Sequence, residues 1–140
     1  MGTYLNPGNS GFAEIINGDY QDKTGMISLI NKRIGTPNKL ICISRPRRFG
    51  KSYAAKMLCA YYDHTCNSHN LFDDKEISKT ECYTEHLNKY NVIYLDIAGF
   101  ISEYPELKDK TIQVLSVNIQ AIFCWLVLTM TKIPKCIPAK

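Results

Sequence analysis

The amino-acid sequence predicts an α/β chain in which a parallel sheet carries flanking helices. Three observations predict it. Leu40, Ile41, Cys42 and Ile43 form a short continuous apolar run, Asn91-Val92-Ile93-Tyr94-Leu95-Asp96-Ile97 forms a second, and between them Tyr53, Ala54, Met57, Leu58, Tyr61 and Tyr62 share one helical face. Continuous apolar runs of this length suit strands buried on both faces, and two such strands joined through a helix make a parallel unit with a right-handed crossover.

In chain order, residues 1–22 are rich in Gly, Asn and turn formers, with one apolar segment at 12–16, and read as an N-terminal arm or loop. Asp22 is placed to cap a helix whose apolar positions Met26, Ile27, Leu29, Ile30 and Ile34 recur every three or four residues, and Gly35 stands where a C-terminal cap belongs. Thr36-Pro37-Asn38 turns the chain into the first apolar run. Residues 64–79 are polar and irregular, and Ser78-Lys79-Thr80-Glu81 is a capping box expected to open a short helix through Leu87. Residues 23–104 are thus taken as the α/β part. Pro105 suits the first position of a further helix, and residues 119–130 are almost wholly apolar. The core of that stretch, 121–130, is about half of the roughly 20 residues a membrane span requires, so it reads as buried core rather than as a membrane segment. Residues 105–140 are set apart as an atypical apolar segment, expected from a shortened or frameshifted chain.

Where the first apolar run meets the helix stands Ser44-Arg45-Pro46-Arg47-Arg48-Phe49-Gly50-Lys51-Ser52. A strand that turns into a helix start around a phosphate directs backbone N–H groups and the positive helix end at the anion. In such a loop Gly50 lets the backbone approach closely, Lys51 reaches the outer phosphates, and Ser52 offers a hydroxyl to Mg²⁺. The spacing from residue 45 to residue 52 fits Gly-x-x-x-x-Gly-Lys-Ser/Thr, with Arg45 in place of the first glycine. Arg45, Pro46, Arg47, Arg48, Phe49, Gly50, Lys51, Ser52 and Tyr53 are the candidate nucleotide-binding residues, and no catalytic residue is assigned.

Composition agrees with a folded, polyanion-binding chain: of 140 residues, 45% are hydrophobic and 21% charged, with a net charge of +4. The charge is uneven, because Lys23, Lys32, Arg33, Lys39, Arg45, Arg47, Arg48, Lys51 and Lys56 occur between Lys23 and Tyr62 without one acid. The N-terminus lacks the basic and apolar regions of a secretory signal, so a cytoplasmic setting is expected. In that setting Cys42, Cys59, Cys66, Cys82, Cys124 and Cys136 are expected as free thiols.

The loop resembles that of the bacterial AAA-ATPase-like domain family, whose Walker A loop takes the form Arg-Pro-Arg-Arg-Phe-Gly-Lys-Ser, here residues 45–52. Two further matches support the resemblance: Tyr20-Gln21-Asp22-Lys23-Thr24 for the family's Tyr-x-Asp-Lys-Thr, and Leu95-Asp96 for a downstream strand ending in Leu-Asp. The resemblance covers about residues 10–104 and makes Arg45 an expected variant. It implies a three-layer P-loop NTPase fold, incomplete here, with ATP and Mg²⁺ as ligands. Family members often carry a nuclease-like domain as well, which this sequence does not show and through which nucleic acid would be a partner.

Hydrolysis of ATP requires a carboxylate on Mg²⁺ and usually another to orient water. Asp96, closing an apolar run, is the local candidate for the metal side, but Ile97 follows it and the resemblance places the Asp-Glu pair on a later strand; a strand-end aspartate near the site is the alternative role. No apolar run after Glu103 ends in paired acids. The chain therefore resembles the front of an ATPase, with turnover undecided.

Two weaker constellations remain. Cys66 and His69, then Cys82 and His86, with His64 and Cys59 nearby, stand at spacings a zinc site tolerates, although a polar linker beside core-facing thiols is the preferred reading. Tyr53, Tyr61, Tyr62 and Phe72 could stack on bases beside the basic block, but helical spacing favours packing. The competing functions are accordingly a basic nucleic-acid-binding fragment without nucleotide chemistry, and a non-functional truncated remnant.

Overall fold

A computed structural model describes residues 5–44, 46 and 48–96. The chain divides into two compact units, Met1–Tyr94 and Leu95–Lys140. The segment 105–140, with its apolar run, lies outside the described residues.

The first unit is helical. Helix α1 spans Ser10–Ile16, α2 Gly25–Asn31, α3 Lys51–Tyr62, α4 His69–Phe72 and α5 Tyr83–His86, with a 3₁₀ turn at Glu76–Lys79 between the last two. The stretch expected to be an arm therefore contains a helix, α1, which packs along α3. A single side chain accounts for this: Phe12 is fully buried, stacked on Phe72 with ring centres 5.1 Å apart and edge-on to Tyr20 at 5.4 Å. Aromatic pairs of this geometry add to the burial of their area. Tyr61 lies edge-on to Phe72 at 5.4 Å, and Ile27, Met57, Ala60, Ile77 and Leu87 complete the core.

Helix α3 is the axis. Its buried residues Met57, Cys59, Ala60 and Tyr61 face the other elements, while Leu58 and Tyr62 are partly covered. Burial, reinforced by the charge of Asp63, pushes the Cys59 thiol up to about 11, which leaves it unreactive at neutral pH. Asp63 ends the helix in extended conformation and is itself wholly buried. Its carboxylate accepts the Gly8 N–H at 2.7 Å and both the N–H and hydroxyl of Thr65 at 2.8 and 2.7 Å, so a buried charge is met by three donors.

The expected parallel sheet is not found. Among the described residues there is no β-strand; the only pairings are isolated bridges, antiparallel between Leu5 and Ile93 and parallel between Asp63 and Tyr90. Leu40, Ile41 and Ile43 are 89, 43 and 40% exposed, whereas a central parallel strand is enclosed on both faces. The physical reason lies in pairing. A strand is stable only against a neighbour that completes its hydrogen-bond ladder, and the second apolar run is tied elsewhere. Asn6 donates its N–H to the Val92 carbonyl at 2.7 Å and accepts the Val92 N–H at 2.7 Å through its side chain. The three-layer α/β expectation is therefore corrected to a helical first unit.

Other expectations shift by smaller amounts. The helix expected from Asp22 to Ile34 is limited to α2, after which turns lead to Gly35 in the left-handed region (φ 76°). The capping box at residues 78–81 does not form: the Ser78 hydroxyl donates back to the Lys75 carbonyl at 2.7 Å, and α5 starts later, after Cys82. No helix among the described residues is long and apolar enough to cross a membrane.

Candidate functional site

The loop leading into α3 carries the candidate residues. Ser44, Pro46, Arg48 and Phe49 are exposed, and Arg45 and Arg47 lie outside the described residues. The chain turns sharply here, because Arg48 (φ 67°) and Gly50 (φ 72°) both occupy the left-handed region. For an L-residue that conformation costs about 1–2 kcal/mol, so Arg48 holds strain that Gly50 does not. A Cβ at position 50 would lie 2.9 Å from the Lys23 ammonium nitrogen, the end of a flexible side chain that can move aside, so the left-handed backbone is what favours glycine there. Gly50 then caps α3, accepting the Ala54 N–H at 2.9 Å. The first turn of α3 contains no acid, so its partial positive charge is not offset from within the helix.

Two lysines brace the loop, one from its own end and one from an earlier segment. Lys51, the first residue of α3, donates from Nζ to the Pro46 carbonyl at 2.8 Å. Lys23, from the segment before α2, donates from Nζ to the Phe49 carbonyl at 3.2 Å. That segment is itself anchored at several points. The Tyr20 hydroxyl accepts the Lys23 N–H at 3.2 Å and donates to the Met57 sulfur at 3.6 Å. Asp22 accepts the N–H of Thr24 and of Glu76, each at 2.8 Å, and the buried Thr24 hydroxyl accepts the Ile77 N–H at 3.2 Å. Burial pushes the Asp22 carboxyl up, but the two N–H donors outweigh it and the net shift is down.

Between this segment and the start of α3 lies a cavity of about 210 Å³, bordered by Asp19, Tyr20, Gln21, Lys23, Arg48, Gly50, Tyr53, Ala54 and Met57. Its rim thus carries two cations, one acid and two phenols.

The profile of the protein family described as Predicted AAA-ATPase matches residues 7–125, a span that contains the loop, both bracing lysines and every described element. The chain belongs to this AAA-ATPase-like family. Neither a search of curated proteins nor one of solved structures finds a significant match.

Within this AAA-ATPase-like chain, the structure brings Arg48, Phe49, Gly50, Lys51, Ser52 and Tyr53 together at one turn and helix start. Ser52 and Tyr53 are exposed in the first turn of α3, and Tyr53 reaches the cavity rim. Asp96 is exposed and belongs to the second unit. The aromatic residues read as possible stacking groups part company: Tyr61 and Phe72 are core, Tyr62 is partly buried, and Tyr53 is open.

The Cys and His constellation is dispersed. Cys66 lies against the Asp63 carbonyl and the Ser68 hydroxyl, Cys82 against Asn31 and Thr80, and His86 stacks on Tyr90. Among the described residues no three His, Cys, Asp or Glu side chains are grouped to hold a metal. Sequence reasoning gave Lys23 and Tyr20 no role in the site; the one signal was their place in the Tyr-x-Asp-Lys-Thr segment, at the start of the acid-free basic block.

Proposed function

We propose that this AAA-ATPase-like chain binds the phosphates of ATP, with Mg²⁺, at residues 45–53. The observation that carries the reading is the left-handed turn at Gly50, which delivers Lys51 and Ser52 to the first turn of a twelve-residue helix. Such a helix start attracts anions through its N–H groups and dipole. The residues fit the ligand. Gly50 is in the left-handed region, Lys23, Arg48 and Lys51 bring three positive charges near the turn against the one acid Asp19, and Ser52 offers an exposed hydroxyl.

In this reading Lys51 would exchange its bond to the Pro46 carbonyl for one to a phosphate oxygen, Ser52 would offer its hydroxyl to Mg²⁺, and Arg48 would add its charge at the rim. The metal, when bound, neutralises phosphate charge. A cytoplasmic setting, where ATP and Mg²⁺ are plentiful, goes with the reading. The alternative of a nucleic-acid-binding fragment keeps the exposed Lys32, Arg33 and Lys39, yet Tyr61 and Phe72 are buried and give it no stacking platform.

The test is calorimetric titration of Mg²⁺-ATP. Lys51→Ala is expected to weaken binding by about ten- to hundredfold, the scale of losing a hydrogen bond to a charged group. Equal affinity in the variant would remove the loop as the binding site.

A further inference from the structure

We propose that Lys23 is a second phosphate-binding cation of the nucleotide loop, contributed by the Tyr20–Thr24 segment. The inference rests on the phosphate-site reading above and extends it to a residue 26 positions before Phe49 in sequence.

Every other anchored group of this segment has a structural partner. Tyr20 is edge-on to Phe12 and bonded to Met57, Asp22 holds the N–H groups of Thr24 and Glu76, and Thr24 is buried against Ile77. Lys23 differs. Its backbone is fixed by the Tyr20 hydroxyl, but its side chain is exposed, and no ion pair among the described residues includes it. The ammonium instead sits on the loop, donating to the Phe49 carbonyl at 3.2 Å and standing 2.9 Å from where a Cβ of residue 50 would be.

An ammonium has three donors, and Phe49 takes one. Two remain for an anion at the turn. Lys23 also borders the 210 Å³ cavity together with Arg48 and Gly50, so its charge adds to that of the loop at the point where α3 begins. A lysine held by a well-anchored backbone, directed at a loop carbonyl and lacking a carboxylate partner, is suited to meet a polyphosphate with little loss of conformational freedom.

The experiment compares the full chain with Lys23→Gln, Lys23→Arg and Lys51→Ala, titrating each with Mg²⁺-ATP and with inorganic tripolyphosphate, which lacks the nucleoside. Glutamine keeps an N–H donor for Phe49 but removes the charge; arginine keeps the charge. Ligand-free melting is recorded for each, and Lys23→Met replaces Lys23→Gln if its melting departs from wild type. Lys23→Gln is expected to weaken both ligands by about tenfold or more, with Lys23→Arg within about threefold of wild type. Wild-type affinity in Lys23→Gln beside a loss in Lys51→Ala would overturn the inference and leave the phosphate site standing. Equal losses in Lys23→Gln and Lys23→Arg would also overturn it, since shape at Phe49 and not charge would be responsible. No loss in Lys51→Ala, or no binding by wild type, would remove both readings.

Discussion

Phe12→Ala is expected to lower the unfolding free energy by about 3–5 kcal/mol, the cost of emptying a buried aromatic site. Phe12 is fully buried between Phe72 and Tyr20, and it is the side chain through which α1 joins α3 and the later turns to one core. The cavity left behind would border Tyr20, whose hydroxyl holds both the Lys23 backbone and Met57. The substitution should therefore loosen the site as well as the core. Urea unfolding followed by circular dichroism measures the loss, and a change below about 1 kcal/mol, the scale of surface substitutions, would contradict the placement of α1.

Asn88→Ala is the second large effect, expected at about 2–4 kcal/mol. Asn88 lies in the left-handed region (φ 53°), which asparagine tolerates better than alanine. Its side-chain amide donates to the Asp63 carbonyl at 2.6 Å and the Ala60 carbonyl at 3.3 Å, while its oxygen accepts the N–H of the buried Ser68 at 2.9 Å. Its own N–H donates to the Tyr61 carbonyl at 2.8 Å. One residue thus satisfies carbonyls that the end of α3 leaves unbonded, and each buried group deprived of a partner costs about 1–3 kcal/mol. Asn88→Gly, free of the backbone strain, should be about 1 kcal/mol milder than Asn88→Ala. Equal melting of wild type and Asn88→Ala would refute the role.

What the sequence made legible was local. The start of α3 at Lys51, its buried face through Met57 and Tyr61, and the turn at Gly50 all follow from residues adjacent in the chain, where helical period and glycine conformation act directly. The strand at residues 40–43 failed because an apolar run is a strand only if a second segment pairs with it, and that condition is not written in the run itself. Phe12, Phe72 and Ile77, all fully buried, lie in stretches read as an arm and as polar irregular chain. Phe12 and Phe72 belong to apolar stretches too short to show a period, and Ile77 stands alone among polar residues. The site divides in the same way. Gly50, Lys51 and Ser52 were visible as a contiguous motif, whereas the bond from Lys23 to Phe49 spans 26 residues and exists only once α2 and α3 are folded together.

Membership of the AAA-ATPase-like family hints at nucleotide use, and the proposed binding would seat the phosphates at the turn, the helix start and the two bracing lysines.

Amide hydrogen exchange of residues 48–54, measured with and without saturating Mg²⁺-ATP, tests that placement most directly. The account predicts that the N–H groups of Gly50 to Tyr53 become strongly protected when the nucleotide is present. Unchanged exchange across those residues, with ATP bound elsewhere or not at all, would contradict it.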